Sequence, residues 1–86
     1  MKKLSISKSA RHQFDLLGID CINNAGGAVY LRGSMRNVAT AVSKILVLNP
    51  GVKVQCMNTA VVKISKDEES AVVNAVVIFE LETEDE

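Results

Sequence analysis

The chain has 86 residues, nearly half of them apolar, which suits one small folded domain and excludes a disordered segment. Three aromatic residues and no Trp argue against binding of single strands by serial base stacking. The net charge of zero hides a segregation, because residues 1–66 carry all ten basic residues and two acids, whereas residues 67–86 carry eight acids. A basic body with an acidic end indicates either a polyanion partner or a solubilising tail.

The first predicted elements are a short strand and a long helix. Alternation of apolar and polar residues over Lys3–Ser7 predicts a half-buried strand. Ser9 is the predicted N-cap of a helix that ends at Gly26-Gly27, and Gly18 inside it is expected to weaken it by about 1 kcal/mol. The apolar stripe of this helix has spacings of four, three and four and consists of Ala10, Phe14, Leu17 and Cys21.

The next predicted elements are a strand over Ala28–Arg32 and a helix from about Met35, which Asn49-Pro50-Gly51 ends. A long strand over Val52–Ile64, with a bulge near Met57, leads through a polar hairpin to a last strand over Ala71–Glu82. The resulting order is βαβαββ. It predicts an α+β two-layer sandwich in which two helices cover one face of a mixed four-stranded sheet.

The last predicted strand is apolar on both faces through its middle. Val73, Ala75 and Val77 lie on one face, and Val76 and Ile78 lie on the other. In so small a protein two-sided apolarity suggests that something covers the second face, and we expect a homodimer.

The two cysteines, Cys21 and Cys56, together with His12 are too few ligands for a zinc site. We expect both thiols to be reduced, and we expect no metal and no cofactor. The basic start of the chain is not followed by an apolar segment, and no stretch approaches the ~20 apolar residues of a membrane span. These features predict a cytoplasmic protein.

The most distinctive stretch is a strand, a small-residue turn and a helix. The strand has Val29 and Leu31 on one face and ends in Arg32, Gly33-Ser34 forms the turn, and Arg36 precedes a helix that opens with Val38 and Ala41-Val42. This pattern resembles the Alba family of small DNA- and RNA-binding proteins, and the element order to about Leu81 is similar. The resemblance implies one Alba-like domain over residues 1–82, followed by an acidic tail at 83–86.

The resemblance also implies a nucleic-acid site. Lys8 matches the first lysine of a family loop whose second lysine is replaced by Ser9, and Arg32 and Arg36 match the basic residues around the turn. On the family's fold these side chains would converge with two helix N-termini at one edge and contact phosphates with little sequence specificity. The implied site consists of Lys8, Arg11, Arg32 and Arg36.

Another interpretation treats these four cations as ordinary solvated surface, neutralised by Asp15, Asp20 and the acidic tail, and surface charge without function is the commoner case. The chain also departs from the family, because Met35 replaces a usual Gly and the hairpin, basic in nucleic-acid-binding members, contains Asp67-Glu68-Glu69. All of these departures lower the expected phosphate affinity.

Two further functions stay open. The chain is similar in length and order to stage V sporulation protein S, a relative that is not strongly basic, which implies a regulatory or assembly protein acting through protein contacts. The second of these functions is that of a structural dimer whose acidic end only keeps the protein soluble. No acid/base pair, activated nucleophile or phosphate loop stands out, so we do not expect an enzyme.

Overall fold

A computed structural model describes residues 4–23 and 27–81, which form an α+β fold with two helices and a four-stranded sheet. The fold class and the number of helices and strands were therefore predicted correctly. Their order differs from the prediction. In chain order the elements are α1 (Lys8–Leu16), β1 (Asp20–Asn23), β2 (Ala28–Ser34), α2 (Met35–Leu48), β3 (Lys53–Lys63), a 3₁₀ helix (Glu68–Ser70) and β4 (Val72–Glu80).

The sheet has the strand order β1-β2-β4-β3, and every neighbouring pair is antiparallel. The predicted mixed sheet and βαβαββ order are therefore wrong. Of the strand predicted over Lys3–Ser7, residues 4–7 are not a strand, and Lys3 lies outside the described residues. The fourth strand comes instead from Asp20–Asn23, a segment predicted to be helical.

The first helix ends at Leu16, ten residues before the predicted glycine pair. Gly18 adopts a left-handed φ of +72° directly after the C-cap residue Leu17. Its N–H donates to the carbonyl of Asp15 at 3.0 Å, and the N–H of Ile19 donates to the carbonyl of Phe14 at 2.9 Å. Phe14 and Ile19 are both buried, so these bonds and this contact form a Schellman motif.

Both helix N-caps are serines. Ser7, rather than the predicted Ser9, caps α1 and accepts a hydrogen bond from the N–H of Ala10 at 3.2 Å. Ser34 caps α2 and accepts from the N–H of Asn37 at 3.2 Å. The predicted start of α2 near Met35 and its end before Asn49 are confirmed.

The two helices cover one face of the sheet. On β4 the predicted alternation is confirmed, because Val73, Ala75, Val77 and Phe79 are buried whereas Val76 and Ile78 remain exposed on the opposite face. Tyr30 lies on that opposite face of β2, directly across from Val76. We call this second face the open face. It is the surface that the helices leave uncovered.

The edge strand β3 is exposed along its whole length. Its register against β4 shifts twice, between Val54 and Cys56 and between Val61 and Lys63, so the single bulge predicted near Met57 is wrong.

Neither described helix is long and apolar enough to cross a membrane. The predicted acidic tail, residues 83–86, lies outside the described residues.

Candidate nucleic-acid site

Hydrogen bonds at two places define how the helices lie relative to each other. The side-chain amide of Asn37, in the first turn of α2, donates to the carbonyl of Leu17 at the end of α1 at 3.0 Å. At the other end of the helical layer, Asn49, the C-cap of α2, bonds to Ser5, which precedes α1. The helices therefore run antiparallel, and their N-termini lie at opposite ends of the layer.

This arrangement separates the four basic residues predicted to converge. Lys8 begins α1, close to the end of α2, whereas Arg36 lies in the first turn of α2. The predicted convergence assumed that a strand before each helix would start both helices at the same edge. Since residues 4–7 form no strand, that constraint is missing and the convergence does not occur.

Arg32 and Arg36 lie four residues apart in the sequence, on either side of the junction between β2 and α2. Arg32 is exposed on the open face, directly opposite Asp20 on β1 and Asn74 on β4. Arg36 projects from the first turn of α2, with 63% of its side chain exposed. The junction thus presents two arginines, one on the sheet and one on the helix.

Arg36 contacts the acidic turn, which we define as Asp67–Glu69. Its Nε donates to Oε2 of Glu69 at 3.0 Å, its Nη2 donates to the same oxygen, and Oδ2 of Asp67 lies 4.0 Å from Nη2. The hydrogen bond and the charge of Glu69 raise the pKa of Arg36. Among the described residues, Arg36 therefore contacts the acids of the hairpin and not Asp15 or Asp20.

Two of the backbone amides expected to attract phosphate at the start of α2 have partners within the chain. The N–H of Met35 donates to the carbonyl of Ala71 at 2.9 Å, and that of Asn37 donates to the hydroxyl of Ser34. These two amides are therefore not available to an anion at this end of α2.

Arg11 lies on α1, half exposed, close enough to β1 for its charge to act on Cys21. Burial raises the pKa of the Cys21 thiol, and the positive charge of Arg11 partly opposes that rise. Cys56 is exposed on β3, and both thiols are free. In the described ranges no three His, Cys, Asp or Glu side chains are grouped as a metal ion would require.

One polar side chain near the arginine pair was missed by the sequence analysis. Asn74 interrupts the apolar sequence of β4 and lies between Arg32 on β2 and Ala60 on β3. Its Oδ1 is buried and accepts no hydrogen bond from the residues that the structure describes. The break in the apolar sequence was visible, but only the register shows that it adjoins Arg32.

A surface groove of about 420 Å³ runs beside Arg36 along α2. Glu69 forms one of its walls, and small or hydroxyl-bearing residues, Ala39, Thr40 and Ser43, follow along the helix. No family model, curated protein or solved structure matches this chain. Its function must therefore be argued from the residues themselves.

Proposed function

We propose that this protein binds DNA or RNA by contacting the phosphate backbone, with little sequence specificity, and that it is an Alba-like protein. The resemblance of the sequence pattern over residues 29–42 supports the family. The exposed pair Arg32 and Arg36 at the junction between β2 and α2 is the observation that carries the function, because guanidinium groups bind phosphate oxygens in bidentate geometry.

The separation of Lys8 from Arg36 favours a polymeric ligand. The two residues lie at opposite ends of α2, whose 14 residues span about 20 Å. A single phosphate cannot contact both residues, whereas one nucleic-acid strand presents a phosphate about every 3.4 Å along its axis. Lys8 and Arg11 on α1 are thus proposed as contacts additional to the arginine pair, at other phosphates.

A salt-dependent titration with duplex DNA and with RNA tests this function. Four phosphate contacts would give a slope of about −3.6 for log K against log salt on duplex DNA, or about a hundredfold loss between 50 and 200 mM. Arg32→Glu with Arg36→Glu should abolish binding. Absence of binding to any nucleic acid at ~50 mM salt would contradict the proposal.

A matched charge reversal separates the site from net charge. Lys44→Glu with Lys66→Glu changes the net charge by the same amount, at positions outside the proposed contacts. This control should weaken binding far less than the arginine pair does. Equal losses in both double variants would show that overall charge, and not the junction between β2 and α2, determines affinity.

We also propose that the protein is a homodimer in which a second copy covers β3. All eleven residues of β3 are exposed, and its outer edge has no neighbouring strand among the described residues. Large exposed side chains on it include Val54, Met57 and Val61. A long apolar edge strand is an aggregation hazard unless something covers it, and a symmetric second copy does so with the same surface.

A second candidate is a regulatory or assembly protein of the sporulation-protein-S type, acting through protein contacts. The observation that favours it is the engagement of Arg36 by Glu69, together with the exposed Val61 and Ile64 beside the hairpin. Under this function Arg32→Glu with Arg36→Glu would leave capture of a protein partner intact. Val61→Glu with Ile64→Glu would prevent that capture.

A further inference from the structure

The acidic turn is built to hold a carboxylate against Arg36. Oδ1 of Asp67 accepts the N–H of Glu69 at 3.1 Å, and Oδ2 of Asp67 accepts the hydroxyl of Ser70 at 3.3 Å. The carbonyl of Ala71, two residues after the turn, accepts the N–H of Met35 at 2.9 Å, which ties the following segment to the first residue of α2. Glu69 is therefore held beside Arg36 by contacts within the turn and directly after it.

The carboxylate of Glu69 occupies the Nε–Nη2 edge of Arg36, one of the edges through which a guanidinium binds a phosphate in bidentate geometry. Both Nε and Nη2 donate to its Oε2, and the nearby Asp67 adds a second negative charge. A phosphate oxygen would accept from these same guanidinium nitrogens. The side chains of Arg36 and Glu69 are both more than half exposed, so a competing anion can reach the pair from solvent.

We propose that the acidic turn is an autoinhibitory competitor, which occupies the Nε–Nη2 edge of Arg36 in the free protein and is displaced when a nucleic-acid phosphate binds that edge. This inference rests on the proposed nucleic-acid function. Exposed ion pairs are weak, so the turn lowers affinity by about three- to fivefold without abolishing binding. The turn thereby makes the protein release nucleic acid more readily than its arginines alone would.

Glu69→Gln removes the competitor, and Glu68→Gln is its matched control. Both variants remove one negative charge from the same turn, but Glu68 lines a different groove, beside Val61 and Ile64. Binding of fluorescein-labelled duplex DNA and RNA is titrated at constant low salt. Glu69→Gln should bind about three- to fivefold tighter than the wild type, and Glu68→Gln should gain clearly less. Equal gains overturn the competitor and leave only a net-charge effect.

The same pair of variants in an Arg36→Gln background tests whether Glu69 acts through Arg36. There Glu69→Gln should bind no better than Glu68→Gln, since no guanidinium remains to be released. A persisting advantage of Glu69→Gln overturns the proposal. If neither the wild type nor any variant binds nucleic acid, the nucleic-acid function itself is contradicted. If all of them bind and Glu69→Gln and Glu68→Gln gain equal affinity, only the competitor role of the acidic turn is contradicted.

Discussion

The side-chain amide of Asn49 hydrogen-bonds to both backbone polar groups of Ser5, the N–H and the carbonyl. The N–H of Ser5 donates to Oδ1 of Asn49 at 2.8 Å, and Nδ2 of Asn49 donates to the carbonyl of Ser5 at 2.9 Å. The same Nδ2 also donates to the carbonyl of Ile45, near the end of α2, at 2.8 Å. One buried amide thus serves as the C-cap of α2 and as the partner of the extended segment before α1.

Asn49→Ala should destabilise the protein by about 2 kcal/mol, since it leaves three partly or fully buried backbone groups without partners. Thermal unfolding followed by circular dichroism should show a melting temperature lower by about 10 °C. Asn58→Ala is the control, because Asn58 is exposed and its side-chain contact is with Sγ of Cys56, at 3.8 Å. Identical melting of the Asn49→Ala variant and the wild type would contradict this role.

The same contact explains why the first strand was predicted wrongly. Alternation correctly marks Leu4 as buried and Ile6 as partly buried. A strand also needs a neighbouring strand whose backbone hydrogen-bonds to it. The backbone of Ser5 bonds instead to the side chain of Asn49. Periodicity reports which side chains face the core, but it does not report what the backbone pairs with.

The end of α1 was also missed, for a different reason. The apolar stripe continues past Gly18 into Cys21, because both α1 and β1 pack on the same core. Gly18 was interpreted as a weak point inside a helix, although a glycine followed by an apolar residue also suits a Schellman motif. Two elements were predicted well. Helix α2 has a strong stop signal directly after Leu48, and β4 has an unbroken alternation of side chains between the two faces of the sheet.

Gly18→Ala should destabilise the protein by about 1 kcal/mol through backbone strain alone. The φ of +72° is unfavourable for alanine, whereas a Cβ at this position would meet no atom within 4 Å. Gly18→Asn should recover part of the loss, since Asn tolerates the left-handed region better. Urea denaturation should therefore rank the wild type above Asn and Asn above Ala. An alanine variant as stable as the wild type would contradict the Schellman end of α1.

The site was harder to predict than the fold, because its main contact joins residues 33 positions apart. Arg36 meets Glu69 only because Ser34 pairs with Val72 in the β2–β4 register. The sequence marked both the arginine and the acidic hairpin, but nothing in either segment gives this register. Lys8 was predicted to lie near Arg36 because a strand was predicted before α1. Residues 4–7 form no such strand.

Asn74→Val should stabilise the protein by about 1 kcal/mol. The substitution removes a buried carbonyl oxygen without a hydrogen-bond partner in the described chain, and it adds a β-branched residue to a central strand. Asn58→Val is the control, because it makes the same change on the open face at an exposed position of β3. Chemical denaturation should give Asn74→Val the larger gain. A loss of stability would show that Oδ1 of Asn74 has a partner in solution.

Met57→Glu with Val61→Glu should dissociate the proposed homodimer. Both side chains are exposed on β3, opposite the buried Val77 and Val73 of β4, so they project from the same side of the sheet. A second copy packed there would have to bury four new carboxylates, two from each copy, which is costly without paired cations. Sedimentation equilibrium should show a dimer of the 9.3 kDa chain for the wild type and a monomer for this variant.

Val47→Glu provides the matched control for that experiment. Val47 is exposed on α2, so the same Val-to-Glu change adds charge away from β3. This variant should remain dimeric, because no part of β3 is altered. A wild type that sediments as a monomer at every concentration would contradict the homodimer. A Val47→Glu variant that dissociates while the β3 variant stays dimeric would instead place the contact between copies on α2, since added charge disrupts the surface that a partner buries.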